Sequence, residues 1–242
     1  MFLILAAGCH HDIGETDSAF YAWNGGRVHC AVDIDTSARI DLPSIVTGLD
    51  RARDRGEVVE LFTHQPGVTI PWSRVEDVLS AAHDRGLPFI TYTDFAHDIT
   101  PTAGLAFSFD DWYPKDWIQG RDMFKRYGAR LTFFVAHYDV MSQEERDDLQ
   151  LLASDGHDIE PHTINHLRGP AYVEENGLRS YIDVELQPSI DLLRADGYPV
   201  TAFAYPFGAR TGELDGVVFD RVPIVRSVAY TWTSVAVDPC PI

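Results

Sequence analysis

Leu105–Trp112 reads LAFSFDDW, a run of apolar and small residues that ends in two adjacent carboxylates and an indole. An apolar run without polar alternation suits a strand covered on both faces, as in a parallel sheet, and the carboxylates then mark its C-terminal end. Runs of the same kind recur at residues 58–63 (VVELFT), 88–92 (PFITY), 131–135 (LTFFV), 200–205 (VTAFAY) and 224–230 (IVRSVAY). Helix signals alternate with them. Asp41 is placed to cap a helix that carries Leu42, Ile45, Val46 and Leu49 on one face and stops at Gly56. Ser73 with Glu76 and Ser142 with Glu145 have capping-box spacing, ahead of Val75, Val78, Leu79 and Ala82 and of Leu149 and Leu152, with stops at Gly86 and Gly156. Strand, helix and strand repeated this often predict an α/β fold, a closed or nearly closed (β/α) barrel in one domain.

The 242 residues are 45% hydrophobic, enough for a sizeable core. The net charge is -18, and Lys115 and Lys125 are the only lysines, so an acidic surface argues against a nucleic-acid partner. Neutral glycans, cationic amines and metal ions remain compatible. No stretch approaches the roughly 20 apolar residues of a transmembrane span. The start, MFLILAAGCHHD, resembles the end of a bacterial lipoprotein signal, which implies lipidation of Cys9 and an exported, periplasmic or cell-envelope protein. The other reading is a start site placed too late, or a buried strand in a cytoplasmic protein. Residues 1–18 are therefore set apart as a signal or flexible N-terminus, and 19–242 as the barrel. Cys9, Cys30 and Cys240 have no zinc-ligand spacing and permit at most one disulfide, with Cys9 and Cys30 as alternative partners for Cys240.

In a (β/α) barrel the chemistry sits at the C-terminal ends of the strands. Four predicted strand ends carry reactive side chains: Asp110 and Asp111; His162 and His166 of PHTINH; Tyr205, Pro206, Phe207 and Gly208; and His64. Adjacent strand residues face opposite sides, so one carboxylate can bind a metal while the other serves as a base. Two histidines four apart share a face if a helical turn follows, and Asp, His and His with open positions is a catalytic zinc pattern that also suits Fe(II).

FSFDDW, then GHDIEPHTINH, then FAYPFG resemble, in order, the first motifs of the polysaccharide deacetylases, the NodB-homology or carbohydrate esterase family 4 group. The resemblance spans roughly residues 105–230. It implies a distorted barrel, a zinc ion (or Co, Ni or Fe) bound by Asp111, His162 and His166, and Asp110 as general base. It also implies the Phe207 N–H as oxyanion donor, an acetylated glycan as substrate, and a late-strand histidine as general acid. No such histidine follows VRSVAYTWTS; RARDRGEVVELFTH and HDRGLPFITYTDF resemble the family's usual tail but precede LAFSFDDW. The expectation is a circular permutation. Residues 19–100 then correspond to the usual C-terminal part and 101–242 to the usual N-terminal part, with His64 as the acid. Ala204 stands where many relatives have an arginine, so Asp110 needs another partner: Arg226, or Arg210, the latter read as a surface charge. Trp112, Tyr113, Tyr205, Trp232 and Asp220 are candidates to line a sugar groove. The expected function is N-deacetylation of a GlcNAc-containing glycan. O-acetyl ester or cyclic amide hydrolysis, and a non-catalytic zinc-holding glycan binder, are the alternatives.

Overall fold

The computed structural model describes residues 12–97, 100–229 and 240. Eight strands run in chain order as β1 (Phe20–Tyr21), β2 (Val28–Asp33), β3 (Val58–Thr63), β4 (Gly104–Asp111), β5 (Thr132–Val135), β6 (Asp158–Pro161), β7 (Ala202–Ala204) and β8 (Ile224–Val228). Seven are parallel neighbours in the order β6-β5-β4-β3-β2-β8-β7, and β1 pairs antiparallel with the start of β3. The sheet curls into a nearly closed barrel; β6 and β7 approach each other across the seam without a backbone ladder. β2 and β3, although they precede LAFSFDDW in the chain, lie between β4 and β8. Every residue of β3 and β4 is buried, as strands covered on both faces require.

The outer layer is built from α1 (Leu42–Arg55), α2 (Trp72–Asp84), α4 (Pro114–Trp117), α5 (Arg121–Arg126), α6 (Gln143–Ser154), α7 (Gly169–Asn176), α8 (Leu178–Tyr181), α9 (Gln187–Ala195) and α10 (Gly212–Phe219), while α3 (Tyr92–Ala96) lies across the N-terminal mouth. α1 begins as expected, with the Asp41 carboxylate accepting from Ser44 N–H, and ends at Gly56 in the left-handed region. α6 carries the full Ser142/Glu145 capping box. The Ser73/Glu76 box does not form. α2 starts two residues earlier, after Pro71, and Glu76 instead accepts from Arg126 (2.7 Å) and Tyr127 (3.1 Å). The expected strand at 88–92 is also absent: Phe89 makes one bridge to Leu105, after which a Thr91/Asp94 capping box turns the chain into α3.

Two apolar layers result. Outside the strands, Val32, Leu61, Phe107 and Phe133 pack against Leu49, Leu79, Phe124 and Leu149 of the helices. Inside, Val58, Ala106, Phe134, Ala202 and Ala204 are closed off at the N-terminal mouth by Tyr92 and Phe95 of α3, with Tyr21 and Trp23 against them. Tyr92 is fully buried and its hydroxyl donates to Glu60 at 2.7 Å, while His29 Nδ1 lies 2.8 Å from the other oxygen of Glu60. That floor fixes which end of the barrel is open.

Residues 12–18 are part of the folded body, against the expectation of a flexible leader through residue 18. Ile13 is fully buried against α1, where a Cβ on Gly48 would come within 2.7 Å of the isoleucine side chain. Cys240 is disulfide-bonded to Cys30, with Cα atoms 6.2 Å apart; Cys9 lies outside the described residues. Among the described residues no helix is long and apolar enough to cross a membrane.

Candidate active site

The C-terminal rim gathers the reactive side chains on four strands. Asp110 keeps the strand geometry of β4 and is buried in the barrel. Asp111 does not simply face the other way. Its φ of 87° breaks the alternation at the strand end and turns the carboxylate toward the rim, with Oδ1 3.0 Å from His166 Nε2 and 3.8 Å from His162 Nε2. The expected helical turn after Pro161 is replaced by an irregular loop in which Thr163 (φ 69°) and His166 (φ 54°) are left-handed. The Thr163 hydroxyl accepts from His166 N–H at 3.0 Å, and the two imidazole centroids end up 4.9 Å apart. His162 Nδ1 donates to the Ala204 carbonyl at 2.9 Å, which fixes the tautomer and leaves Nε2 free as a ligand.

These three residues fit a divalent cation. Their donor atoms lie within 4.8 Å of one another, and the Asp111 Oδ1 atom is buried without a hydrogen-bond partner. Tetrahedral bonds of about 2.0–2.1 Å put neighbouring donors about 3.3 Å apart, between the two Asp111–histidine separations. Burial opposes ionisation of Asp111, yet the His166 contact and the fields of His64, His162 and His166 hold its pKa down at about 2. Burial and the neighbouring His166 push His162 well below the usual imidazole range, so it is neutral, the form a metal needs.

Asp110 is held by Arg226, a fully buried arginine of β8 whose guanidinium also lies over the Phe62 ring (4.7 Å) and the Phe134 ring (5.0 Å). This is the partner that Ala204 does not provide. Asp110 Oδ1 is buried with no hydrogen-bond partner, an acceptor available to a bound reactant. Burial raises the Asp110 pKa, and Arg226 and His64 pull against that without cancelling it. A carboxyl raised toward the working range is the better base.

His64, at the end of β3, is partly exposed, with Nδ1 2.6 Å from Asp35 Oδ2. Burial disfavours its charge, but the Asp35 hydrogen bond and the fields of Asp110, Asp111 and Asp35 raise its pKa to about 9. Asp35 lies two residues past the end of β2, a strand that the apolar-run pattern of the sequence does not predict. VHCAVDID nevertheless carries a usable signal: Asp33 and Asp35, two apart at a strand end, share a face. Asp33, Asp35 and His64 also bring donor atoms within 4.8 Å. Asp35 is already engaged, however: it accepts from Thr63, from Thr69 (2.9 Å) and from His64, while Asp33 accepts from Asp35 N–H (2.8 Å). That set supports an imidazole better than it supports an ion. Burial and the charge of Asp35 lift Asp33 to about 6.

The remaining candidates divide. Phe207 is half-exposed at φ 60°, its ring 4.8 Å from that of His166 and under the guanidinium of Arg168 (4.8 Å). Gly208 and Ala209 donate to Tyr205 and Pro206 carbonyls, which leaves Phe207 N–H as the free donor of this turn among the described residues. Gly208 is required: at φ 63°, a Cβ would fall 2.5 Å from Val228. Trp112 is exposed at the rim, stacked on Tyr113 (5.4 Å) and edge-on to His166 (5.7 Å). Tyr205 is not a groove residue; it is fully buried in the core and its hydroxyl donates to Asp215 at 2.9 Å. Arg210 is likewise not a surface charge, being buried against the same Asp215. Asp220 follows α10 at the opposite, N-terminal end of β8 and cannot line a rim groove. Trp232 lies outside the described residues.

The polysaccharide deacetylase family model matches residues 97–218, half of the chain. Among curated proteins none matches. Similar solved structures include IcaB from Ammonifex degensii (17% identity, 76% of this chain and 91% of that one, TM-score 0.59). The putative polysaccharide deacetylase BA0330 from Bacillus anthracis gives 19%, 70% and 57%, TM-score 0.59. The Streptococcus pyogenes deacetylase PplD in complex with acetate gives 18%, 67% and 78%, TM-score 0.53. At these identities the structures speak for the shared barrel, and with the sequence match over LAFSFDDW, PHTINH and YPFG the chain belongs to the polysaccharide deacetylase family.

Proposed function

We propose that this chain removes N-acetyl groups from a GlcNAc-containing glycan with the help of a divalent cation, zinc first, at Asp111, His162 and His166. One arrangement carries the reading: Asp110 with a free buried oxygen, next to that donor set, with the Asp35-supported His64 on the adjoining strand. A cation there supplies Lewis-acid polarisation of the acyl carbonyl and makes a water easier to deprotonate.

The protein's own groups account for the proton movements. Asp110, held still by Arg226, takes a proton from the attacking water as the carbon–oxygen bond forms. Phe207 N–H donates to the oxyanion. His64, kept protonated at neutral pH by Asp35, gives its proton to the nitrogen as the carbon–nitrogen bond breaks, so that acetate and a free amine leave. An amine is a poor leaving group unless protonated, so an amide depends on His64 more than an ester does. Trp112, Tyr113 and Phe207 offer apolar faces to a sugar ring.

The position of β2 and β3 between β8 and β4 supports the permuted reading, in which His64 reaches the base from the N-terminal part of the chain. The Cys30–Cys240 disulfide supports an oxidising compartment outside the cytosol. The test is acetate release from chito-oligosaccharides by zinc-loaded protein, with Asp110→Ala and His64→Ala alongside. Losses of about 10²–10⁴-fold with zinc still bound are expected of each. Full activity in His64→Ala would remove the acid from the proposal, and no release by any form would point to an ester or cyclic amide substrate.

A further inference from the structure

The seam of the barrel is where β6 and β7 face each other without a backbone ladder, and the side chains of Glu160 in β6 and of His162 just past its end do the ladder's work. The Glu160 carboxylate accepts from Thr201 N–H with both oxygens (3.0 Å each), from Ala202 N–H (3.1 Å) and from the Thr201 hydroxyl (2.8 Å). Two residues on, His162 Nδ1 donates to the carbonyl of Ala204, two residues beyond Ala202. The steps match, so Glu160 and His162 form successive rungs of a parallel register in which one strand contributes side chains and the other backbone. Glu160 is 1% exposed, and no lysine, arginine or histidine is among its hydrogen-bond partners. Burial, with the charge of Asp158, raises its pKa to about 8 although the Thr201 and Ala202 N–H groups pull the other way, and those donors still satisfy its oxygens.

From this register we infer that Glu160 is a positioning residue for the metal centre: by clasping the start of β7 it sets the place of the Ala204 carbonyl, and through it the tautomer and aim of His162. The inference rests on the reading of His162 as a metal ligand. β7 is laddered on its far side to β8, while toward β6 it is tied by Glu160, by His162 itself, and through Thr93, whose N–H donates to Asp158 and whose hydroxyl bonds that of Thr201. Without Glu160, β7 can drift from the seam, and the Nδ1–H···O=C bond that orients the ligand lengthens. Partners of this kind behind a metal-binding histidine typically change metal affinity by about 10–100-fold. Glutamine can preserve the clasp, with its carbonyl oxygen accepting from Ala202 and Thr201 N–H and its amide facing the Thr201 hydroxyl.

The experiment measures zinc dissociation constants by chelator competition, with thermal unfolding of the metal-free forms, for the wild type and for His162→Ala, Glu160→Ala and Glu160→Gln. Leu79→Ala serves as a destabilised control on the outer face of the barrel. We expect zinc binding to collapse in His162→Ala, to weaken about 10–100-fold in Glu160→Ala, and to stay within about threefold of wild type in Glu160→Gln and Leu79→Ala. Loss in His162→Ala with unchanged binding in Glu160→Ala would overturn the clasp alone. Equal weakening in Leu79→Ala and Glu160→Ala would reduce Glu160 to general stability and overturn it too. Unchanged binding in His162→Ala would remove the metal-centre reading, and the clasp with it. If Glu160→Ala does not fold, Glu160→Gln and Thr201→Val, which loses the hydroxyl's contacts with Glu160 and Thr93, carry the test. A Thr201→Val affinity between wild type and a His162→Ala baseline supports the clasp, and a wild-type value with a weakened Glu160→Gln overturns it.

Discussion

At the N-terminal mouth of the barrel Tyr92, Phe95, Tyr21 and Trp23 fit ring against ring, and the polar groups among them, Glu60 and the Tyr92 hydroxyl, find each other. At the C-terminal rim, Asp110 and Asp111 keep buried oxygens without partners, and Asp111, His137, Thr163, His166 and Phe207 all adopt left-handed backbone. Non-glycine residues pay about 1 kcal/mol or more for such conformations. Strain and unmet bonding capacity are therefore denser at the rim than at the floor, where Trp23 (φ 56°) is left-handed and His29 Nε2 is buried without a partner. The floor contributes stability; the rim spends some of it to hold groups ready for a reactant.

Mutations should separate the two ends. Phe95→Ala opens a cavity in the floor, and we expect about 3–5 kcal/mol of lost stability in chemical denaturation with kcat per folded molecule unchanged. A large fall in kcat would show that the ends are coupled.

Histidines sharpen the contrast through pH. His157, buried beside the start of β6, accepts from Leu131 N–H, and burial lowers its pKa to about 4. Its folded value is below the unfolded one, so the unfolded chain takes up the proton first as pH falls. Stability is complete above about pH 6.5 and should decline by up to about 3 kcal/mol toward pH 4, a slope that His157→Asn reduces. His64 has the opposite sign. Its pKa of about 9 keeps the acid form through neutral pH, and turnover should fall as pH rises past about 9. A rate flat to pH 10.5 would break that assignment. The smallest effect is expected for Trp112→Ala, a several-fold rise in KM with stability within about 0.5 kcal/mol, because the indole is exposed at the rim.

Much of this was legible in the sequence where burial is continuous and partners are close in the chain. LAFSFDDW, LTFFV and VVELFT are strands because both faces are covered, and Asp41 and Ser142 cap their helices because the bond spans three residues. Illegible features depend on contacts distant in sequence. Glu76 leaves its local cap for Arg126 and Tyr127, fifty or so positions away. Arg226 reaches Asp110 across 116 residues, and Asp35 meets His64 only because β2 and β3 are neighbours. Tyr205 looked available because it neighbours the YPFG turn, yet β7 turns its ring into the core, where Asp215 takes the hydroxyl.

The Cys30–Cys240 bond spans 210 positions, so in its oxidised form most of the polypeptide is a macrocycle. Restricting the unfolded chain to a loop of that size raises folding free energy by about 5 kcal/mol on the chain-entropy model. A ring also has no privileged starting point. A single proteolytic cut in any surface loop between the two cysteines leaves two chains still joined through the disulfide; only a reductant added afterwards releases two fragments.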